Sequence, residues 1–163
     1  MNIQLQQAKP HHLAEILPLV ADYHAFEHID NSASARASAV QRLLQDPALG
    51  GIWRILIDSR LAGYIALCRG FSIEFNGYDA FIDEFFLLPE FRGRGIGKTV
   101  LARITDEARK LDINALHLEV ARDNLAAARL YATAGFAARD KYLLMSLSLQ
   151  DTNALTSGKG NDQ

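Results

Sequence analysis

The chain of 163 residues is 49% hydrophobic and carries a formal net charge of −2 at pH 7. This length and composition suffice for one sizeable core but not for two ordinary domains. The weak negative charge predicts neither a nucleic-acid nor a membrane partner. A single cysteine, Cys68, excludes an intrachain disulfide, and residues 1–7 lack the features of a signal peptide. Together these observations predict a cytoplasmic protein.

The first half of the chain predicts two helices and three strands, from apolar residues at helical spacing and from alternation of apolar and polar residues. A Pro at 18 lies inside the first helix and predicts a kink or a break there. Two glycines at 50–51 predict a turn, and residues 58–60 a hairpin connection. The predicted elements are a strand at 3–7, a helix at 10–27, a helix from Ser34 or Ala35 to 45, and strands at 52–58 and 61–71.

The second half predicts an alternation of strands and helices after a turn at residues 76–77. The predicted elements are strands at 80–88, 115–120 and 142–149, a helix at 98–111, a helix from an N-cap at Asp123 or Asn124 to 134, and an optional short strand near Ala137. Residues 1–149 are expected to form the domain, and 150–163 a disordered tail. The element order predicts one α/β or α+β three-layer domain with a mixed sheet.

A glycine-rich loop connects the strand at 80–88 to the helix that follows. It contains three alternate glycines and three cations: Arg92, Gly93, Arg94, Gly95, Gly97 and Lys98, with Ile96 between the last two glycines. Bare backbone amides and the positive end of a helix bind anions, so this loop predicts a pyrophosphate site. The spacing fits neither a Walker A loop nor the dinucleotide-binding fingerprint. A solvated, charged turn is the alternative.

Two motifs resemble the GNAT superfamily of N-acetyltransferases. The first is Arg92-x-x-Gly95-x-Gly97, which resembles the family signature Arg/Gln-x-x-Gly-x-Gly/Ala. The second is Asn124-x-x-Ala127-x-x-Leu130-Tyr131-x-x-x-Gly135-Phe136. The resemblance implies a GNAT-like three-layer domain, in which helices flank a mixed, mostly antiparallel sheet with a splayed V between two strands.

The same resemblance implies acetyl-CoA as co-substrate. No metal is expected, because no spacing of histidines makes a metal site. Backbone groups of Phe86, Leu87 and Leu88 would pair with the acetyl and pantetheine groups. The loop residues Arg92, Gly93, Arg94, Gly95, Ile96, Gly97 and Lys98 would hold the pyrophosphate, and Asn124, Ala127 and Tyr131 would contact the cofactor from the later helix.

Acetyl transfer to an amine needs a base, donors for an oxyanion and an acid for the leaving thiolate. The resemblance assigns the acid role to Tyr131, which helical periodicity alone would place in the core. Asp83 and Glu84 are candidates for the base, because two acids in an apolar strand are costly unless one faces water or a site. Strand parity points them to opposite faces unless a bulge intervenes. A strand-end salt bridge, or a base acting through water, are the alternatives.

Residues 82–87 faintly resemble the diamine (spermidine/spermine) acetyltransferase branch, which implies a cationic amine held by Glu27, Asp83 and Glu84. The first expectation is therefore acetylation of a primary amine on a small molecule, polyamine or amino-acid-like. A protein or peptide N-acetyltransferase and a non-catalytic acyl-CoA-binding module are the alternatives. Family analogy suggests a homodimer. The histidines show no metal-ligand spacing, and Cys68 is expected to pack as a small hydrophobe rather than act as a nucleophile.

Overall fold

The computed structural model describes residues 1–150. It contains five strands and four α-helices in the order β1 Ile3–Gln7, α1 Leu13–Phe26, α2 Ala33–Gln45, β2 Gly50–Ile57, β3 Arg60–Ser72, β4 Gly77–Leu87, α3 Ile96–Lys110, β5 Ile113–His117 and α4 Leu125–Thr133. In this part of the chain no helix has both the length and the hydropathy to cross a membrane. The tail predicted to be disordered lies, except for Gln150, outside the described residues.

The strands form one sheet in the order β1-β2-β3-β4-β5. Neighbouring strands from β1 to β4 are antiparallel, whereas β4 and β5 are parallel. The pairing of β4 with β5 begins with Tyr78 against Ile113 and ends with Phe81 against His117. Because β4 continues to Leu87 without β5 beside it, the two strands part and leave an open V. The predicted mixed sheet with a splayed V is confirmed.

Helices cover both faces of the sheet, which explains why the central strands are apolar on both sides. Beneath α1 and α2 lies one core, formed by Ile16, Leu19, Val20, Val40, Leu44, Ile52, Tyr64, Ala66 and Phe86. Beneath α3 lies the other, which includes Trp53, Ile55, Ile65, Leu67, Ile82, Val100, Leu101 and Ile104. The domain therefore has three layers: α1 and α2, the sheet, and α3.

A β-bulge interrupts β4 where the site will form. The register against β3 shifts between Ala66 and Leu67, so that Asp83 is an extra residue without a partner. Before the bulge, Ile82 packs in the core beneath α3. Four residues later Phe86 packs in the core beneath α1 and α2, although an even spacing would keep both on one face. The bulge therefore reverses which face of the sheet the side chains occupy in the second half of β4.

Side-chain caps set the starts of two helices. Helix α2 begins at Ala33 rather than at the predicted Ser34 or Ala35, because the Ser32 hydroxyl caps it by accepting from the Ala35 N–H at 3.2 Å. The Asn124 side chain caps α4 in the same way, by accepting from the Ala127 N–H at 3.1 Å. The predicted hairpin is confirmed, and both residues of its turn, 58 and 59, have positive φ.

Other predictions from the sequence are wrong. Helix α1 continues through Pro18, so of the predicted kink or break the break does not occur. The predicted turn at residues 50–51 is the start of β2, and a 3-10 turn at Pro47–Leu49 precedes it. Within residues 1–150 there is no strand at 142–149 or near Ala137, and β5 ends at His117 rather than at 120. A strand needs a neighbour for its N–H and C=O groups, and alternation within one segment does not supply that neighbour.

Candidate active site

The V between β4 and β5 opens a cleft of about 1030 Å³, here called the central cleft. One wall is the second half of β4 together with the end of α1. The opposite wall is the segment after β5 and the first turns of α4. The glycine loop and the start of α3 close one end. The residues predicted for cofactor and substrate that line it are Glu27, Asp83, Phe86, Leu87, Arg92, Gly93, Gly95, Ile96, Gly97, Lys98, Asn124, Ala127 and Tyr131.

Two glycines give the loop its shape. Gly93 and Gly95 both have φ of +74°, a left-handed conformation that side chains with a Cβ adopt at a cost. Gly95 is the N-cap of α3 and provides no side chain to bind the first N–H groups of the helix. Those amides stay free for a ligand at the positive end of the helix dipole. The loop has the form of an anion site.

The other loop residues differ in what they offer. Ile96 is 1% exposed, so its side chain belongs to the core and only its backbone can reach the cleft. A Cβ on Gly97 would lie 2.9 Å from Leu130 Cδ2, so this glycine allows α3 to pack closely against α4. Lys98 is exposed and lines the cleft, whereas Arg94 is exposed and does not. The cationic contribution inside the cleft therefore comes from Lys98 and Arg92.

Arg92 fixes the loop to the neighbouring elements. Its Nε donates to the carbonyl oxygen of Leu87 at 2.8 Å. Its guanidinium carbon lies 5.2 Å from the ring centroid of Phe26 in α1 and 5.2 Å from that of Phe86 in β4. Cation–π contacts of this kind hold a charge in place while leaving it near water. Arg92 thus carries a positive charge at the junction of α1, β4 and the loop.

Among Phe86, Leu87 and Leu88, whose backbone groups were expected to bind the cofactor, one N–H is free to donate into the cleft. The N–H of Leu88 donates to Ala62 O at 2.9 Å, so it is already used. The carbonyl of Phe86 faces β3, because a Cβ on Gly63 would lie 2.1 Å from its oxygen. N–H groups alternate between the two edges of an antiparallel strand. The N–H of Leu87 therefore points to the opposite edge, into the V.

Tyr131 stands on α4 and lines the central cleft. Burial raises its pKa, and the negative charge of Glu27 at the end of α1 raises it further. The phenol therefore stays protonated at neutral pH and is available as a proton donor.

The two acids of β4 have different surroundings. Glu84 accepts a hydrogen bond from the Tyr64 hydroxyl at 2.6 Å, and its other oxygen lies 2.7 Å from Nε2 of His24 in α1. Tyr64 is 0% exposed and His24 is 7% exposed, so this cluster lies beneath α1. Asp83 lines the central cleft directly, whereas Glu84 lies behind the cleft wall.

The bulge changes the relation between these acids. The sequence predicts opposite faces unless a bulge intervenes, and the register of β4 against β3 does shift here, with Asp83 left unpaired. The pKa of Tyr23 is raised by burial, by Glu27, and also by Glu84 and Asp83. Burial and then Asp83 raise the pKa of Cys68 to about 12, which keeps this half-buried thiol protonated. That result agrees with a packing role for Cys68.

Three residues near the acids, Tyr23, His24 and Tyr64, were given no role in the site from the sequence. The place of Tyr64 in the site could have been inferred from the sequence, because the pairing of β3 with β4 puts Tyr64 opposite Phe86. His24 reaches Glu84 only through the packing of α1 on the sheet. Within residues 1–150 no group of three His, Cys, Asp or Glu side chains could hold a metal ion.

A mixed sheet with a V, an amide-rich loop at a helix N-terminus and a tyrosine in the cleft agree with the GNAT-like acyltransferase domain expected from the two motifs. Residues 14–136 match the model of the acetyltransferase (GNAT) family, and the chain belongs to this family.

Similar proteins agree with this assignment. An IAA acetyltransferase of Azospirillum brasilense is 33% identical over 84 residues, 52% of this chain and 55% of that protein. The chain thus spans about half the length of the curated relatives it matches. An integron cassette protein from the mobile metagenome of Cole Harbour salt marsh has a TM-score of 0.79 at 28% identity, covering 91% of both chains. A predicted acetyltransferase of Clostridium acetobutylicum, solved with acetyl-CoA, has a TM-score of 0.72 at 17% identity, covering 89% of this chain and 96% of that one, and shows the shared fold.

Proposed function

We propose that this protein transfers the acetyl group of acetyl-CoA to a primary amine of a small molecule, polyamine or amino-acid-like, by direct attack. The observation that carries the proposal is the composition of the central cleft. Free amides and cations of the glycine loop, the phenol of Tyr131, and the acids Glu27 and Asp83 all line it. An anionic cofactor and a cationic acceptor can therefore bind in one cleft.

The residues fit acetyl-CoA at the loop end. The unsatisfied N–H groups that follow Gly95, together with Lys98 and Arg92, would bind the pyrophosphate. The N–H of Leu87 would donate to the thioester carbonyl and stabilise negative charge there during attack. Asn124 and Ala127 line the cleft at the start of α4 and would contact the cofactor from the other wall.

The reaction needs three proton transfers. The acceptor ammonium ion loses a proton to Asp83, or to Glu84 through water, and becomes a neutral amine. The nitrogen lone pair then attacks the thioester carbon, and collapse of the oxyanion breaks the C–S bond. The leaving thiolate takes the phenolic proton of Tyr131. The second proton on nitrogen returns to the tyrosine through solvent, so the products are the amide, CoA and one proton.

The acids favour a cationic acceptor. Glu27 and Asp83 line the cleft, and Glu84 lies next to Asp83 behind the wall. A protonated polyamine or amino sugar would be attracted to this charge, whereas an acidic substrate would be repelled. Cytoplasmic location and the absence of nucleic-acid and membrane partners remain predictions.

The test is CoA release from acetyl-CoA with a panel of polyamines, aminoglycosides, amino acids and peptides. Tyr131→Phe should lower kcat by about 100-fold or more, since the hydroxyl acts in the transition state. Its Kd for CoA should change by less than about twofold. Tyr78→Phe, a residue of β4 outside the central cleft, is the matched control. Turnover of peptides alone would refute a small-molecule acceptor, and CoA binding without release by any acceptor would indicate a non-catalytic module.

A further inference from the structure

A histidine occupies the buried face of α1, where the helix is otherwise apolar. The buried residues of this helix are Ile16, Leu19, Val20 and His24. His24 follows Val20 by four residues and so lies on the same face, towards the sheet. A polar side chain at such a position is costly unless it makes hydrogen bonds. The bonds of His24 therefore indicate what this residue contributes.

The His24 ring has one hydrogen-bond partner. Its Nε2 lies 2.7 Å from Oε1 of Glu84, whereas Nδ1 is buried and has no partner within residues 1–150. A protonated ring would carry a second N–H, at Nδ1, that no acceptor satisfies. A neutral ring with its proton on Nε2 leaves no N–H unpaired. The Nε2–H of His24 therefore donates to the Glu84 carboxylate.

This hydrogen bond joins the last turn of α1, residues 23–26, to β4 beside the bulge. Within residues 1–150 it is the only side-chain hydrogen bond from this turn to the sheet. The first turn of α1 has its own attachment, an ion pair of Glu15 with Arg54 at 2.7 Å. In the last turn Tyr23 also packs on the sheet, with its ring centroid 6.2 Å from that of Phe86. Aromatic packing is less directional than a hydrogen bond, so the bond to Glu84 sets the position of the turn.

The last turn and its C-cap carry one wall of the central cleft. Tyr23, Phe26 and Glu27 line this cleft. Tyr23 and Glu27 are four residues apart, so they lie on one side of the helix end. Burial and the charges of Glu27, Glu84 and Asp83 raise the pKa of Tyr23, which places its phenol among these carboxylates. Movement of the turn would separate Tyr23 and Glu27 from Asp83.

We propose that His24 is a positioning residue, whose hydrogen bond to Glu84 anchors the last turn of α1 on β4 and so fixes Tyr23 and Glu27 in the central cleft. The inference rests on the proposed function in one respect, that Tyr23 and Glu27 face the acceptor amine. His24 does not itself line the cleft. The glycine loop is a separate element, so loss of the anchor affects the acceptor more than acetyl-CoA.

Amide hydrogen exchange followed by NMR tests the anchor without any substrate. The amides of Glu27 and Ile29 report on the turn, because they donate to Tyr23 O at 2.9 Å and to His24 O at 2.8 Å. His24→Leu removes the donor, and these amides should exchange about 10-fold to 100-fold faster. His24→Gln can donate from its amide nitrogen, and exchange should return to within about threefold of the original rate.

Two further variants control this measurement. Tyr64→Phe removes the other donor to Glu84 but no contact of α1, so exchange of the Glu27 and Ile29 amides through local opening should not change. His24→Asn has an amide too short to reach Glu84 and should behave like His24→Leu, which it replaces if the leucine variant does not fold.

Steady-state kinetics with an amine that the protein acetylates supply the second readout. His24→Leu should raise KM for the amine by about tenfold, while KM for acetyl-CoA changes by less than about twofold. His24→Gln should bring KM for the amine back to within about threefold. A general loss of stability would not separate the two KM values in this way.

Several results would overturn the proposal. Unchanged exchange in His24→Leu and His24→Asn, or equal acceleration in Tyr64→Phe, would show that His24 does not anchor the turn. An unchanged KM for the amine, an equal rise in both KM values, or no recovery in His24→Gln would remove its positioning role. If the unaltered protein acetylates no amine, the proposed function fails, and the exchange rates still decide whether His24 anchors the cleft wall.

Discussion

Removing the Tyr64 hydroxyl tests how Glu84 is held. In the structure this hydroxyl donates to Glu84 Oε2 at 2.6 Å, and the ring is 0% exposed. Tyr64→Phe keeps the ring and its packing and deletes a single donor. Glu84 then keeps only His24, whose Nε2 lies 2.7 Å from the other oxygen.

The size of the effect follows from burial and charge. A hydrogen bond to a charged group contributes about 1.5 to 3 kcal/mol. The Glu84 side chain is 17% exposed, so water can partly replace the lost donor. We expect a loss of about 2 kcal/mol in the free energy of unfolding, which is about 30-fold in the equilibrium constant. For a chain of this size the Tm should fall by about 4 to 8 °C.

Urea unfolding followed by the fluorescence of the buried Trp53 measures this loss. Tyr78→Phe removes a hydroxyl from a ring that is 42% exposed and should change the free energy of unfolding by less than about 0.5 kcal/mol. If Tyr64→Phe is as stable as this control, the hydrogen bond does not hold Glu84. In the amine assay, a lower kcat with unchanged KM for acetyl-CoA is expected if Glu84 relays the proton. A loss of stability with normal kcat would leave Asp83 as the base.

Three further outcomes are expected. Burial and Asp83 raise the pKa of Cys68 to about 12, so its thiolate fraction near pH 8 is about 1,000-fold below that of a thiol whose pKa is 9.0. Thiol reagents should therefore label the native protein slowly. Asp83→Asn should speed this labelling. Burial and Glu84 raise the pKa of Tyr64, so the folded state holds this phenolic proton more tightly than the unfolded state does. This contribution to the free energy of unfolding is fully present below about pH 10. Above that pH it should fall by up to about 1.4 kcal/mol per pH unit. Chemical unfolding at alkaline pH should show a shallower fall for Tyr64→Phe, and equal slopes would contradict the assignment. Gly95→Ala should lower the free energy of unfolding by about 1 kcal/mol and weaken CoA binding in calorimetry, because φ at this position is +74°. Asparagine tolerates this conformation better, so Gly95→Asn should lose less stability.

The sequence by itself determined the features that depend on neighbouring residues. The cap at Asn124 and the loop around Gly95 were visible because an amide or a missing Cβ acts within three or four residues. Helical and strand periodicity gave the order of the elements up to α4. These local signals, taken in order, were sufficient for the fold class and for the resemblance to the GNAT family.

Only the tertiary structure decided where side chains meet across the sheet. Strand parity alone could not place Asp83 and Glu84, because the bulge that intervenes arises from the pairing of β4 with β3 and not from the segment itself. His24 joined Glu84 through the packing of α1, which no spacing encodes. Residues 142–149 have the alternation of a strand, yet they form no strand within residues 1–150. The pattern sets which face is apolar, but a strand exists only when a second strand accepts its hydrogen bonds.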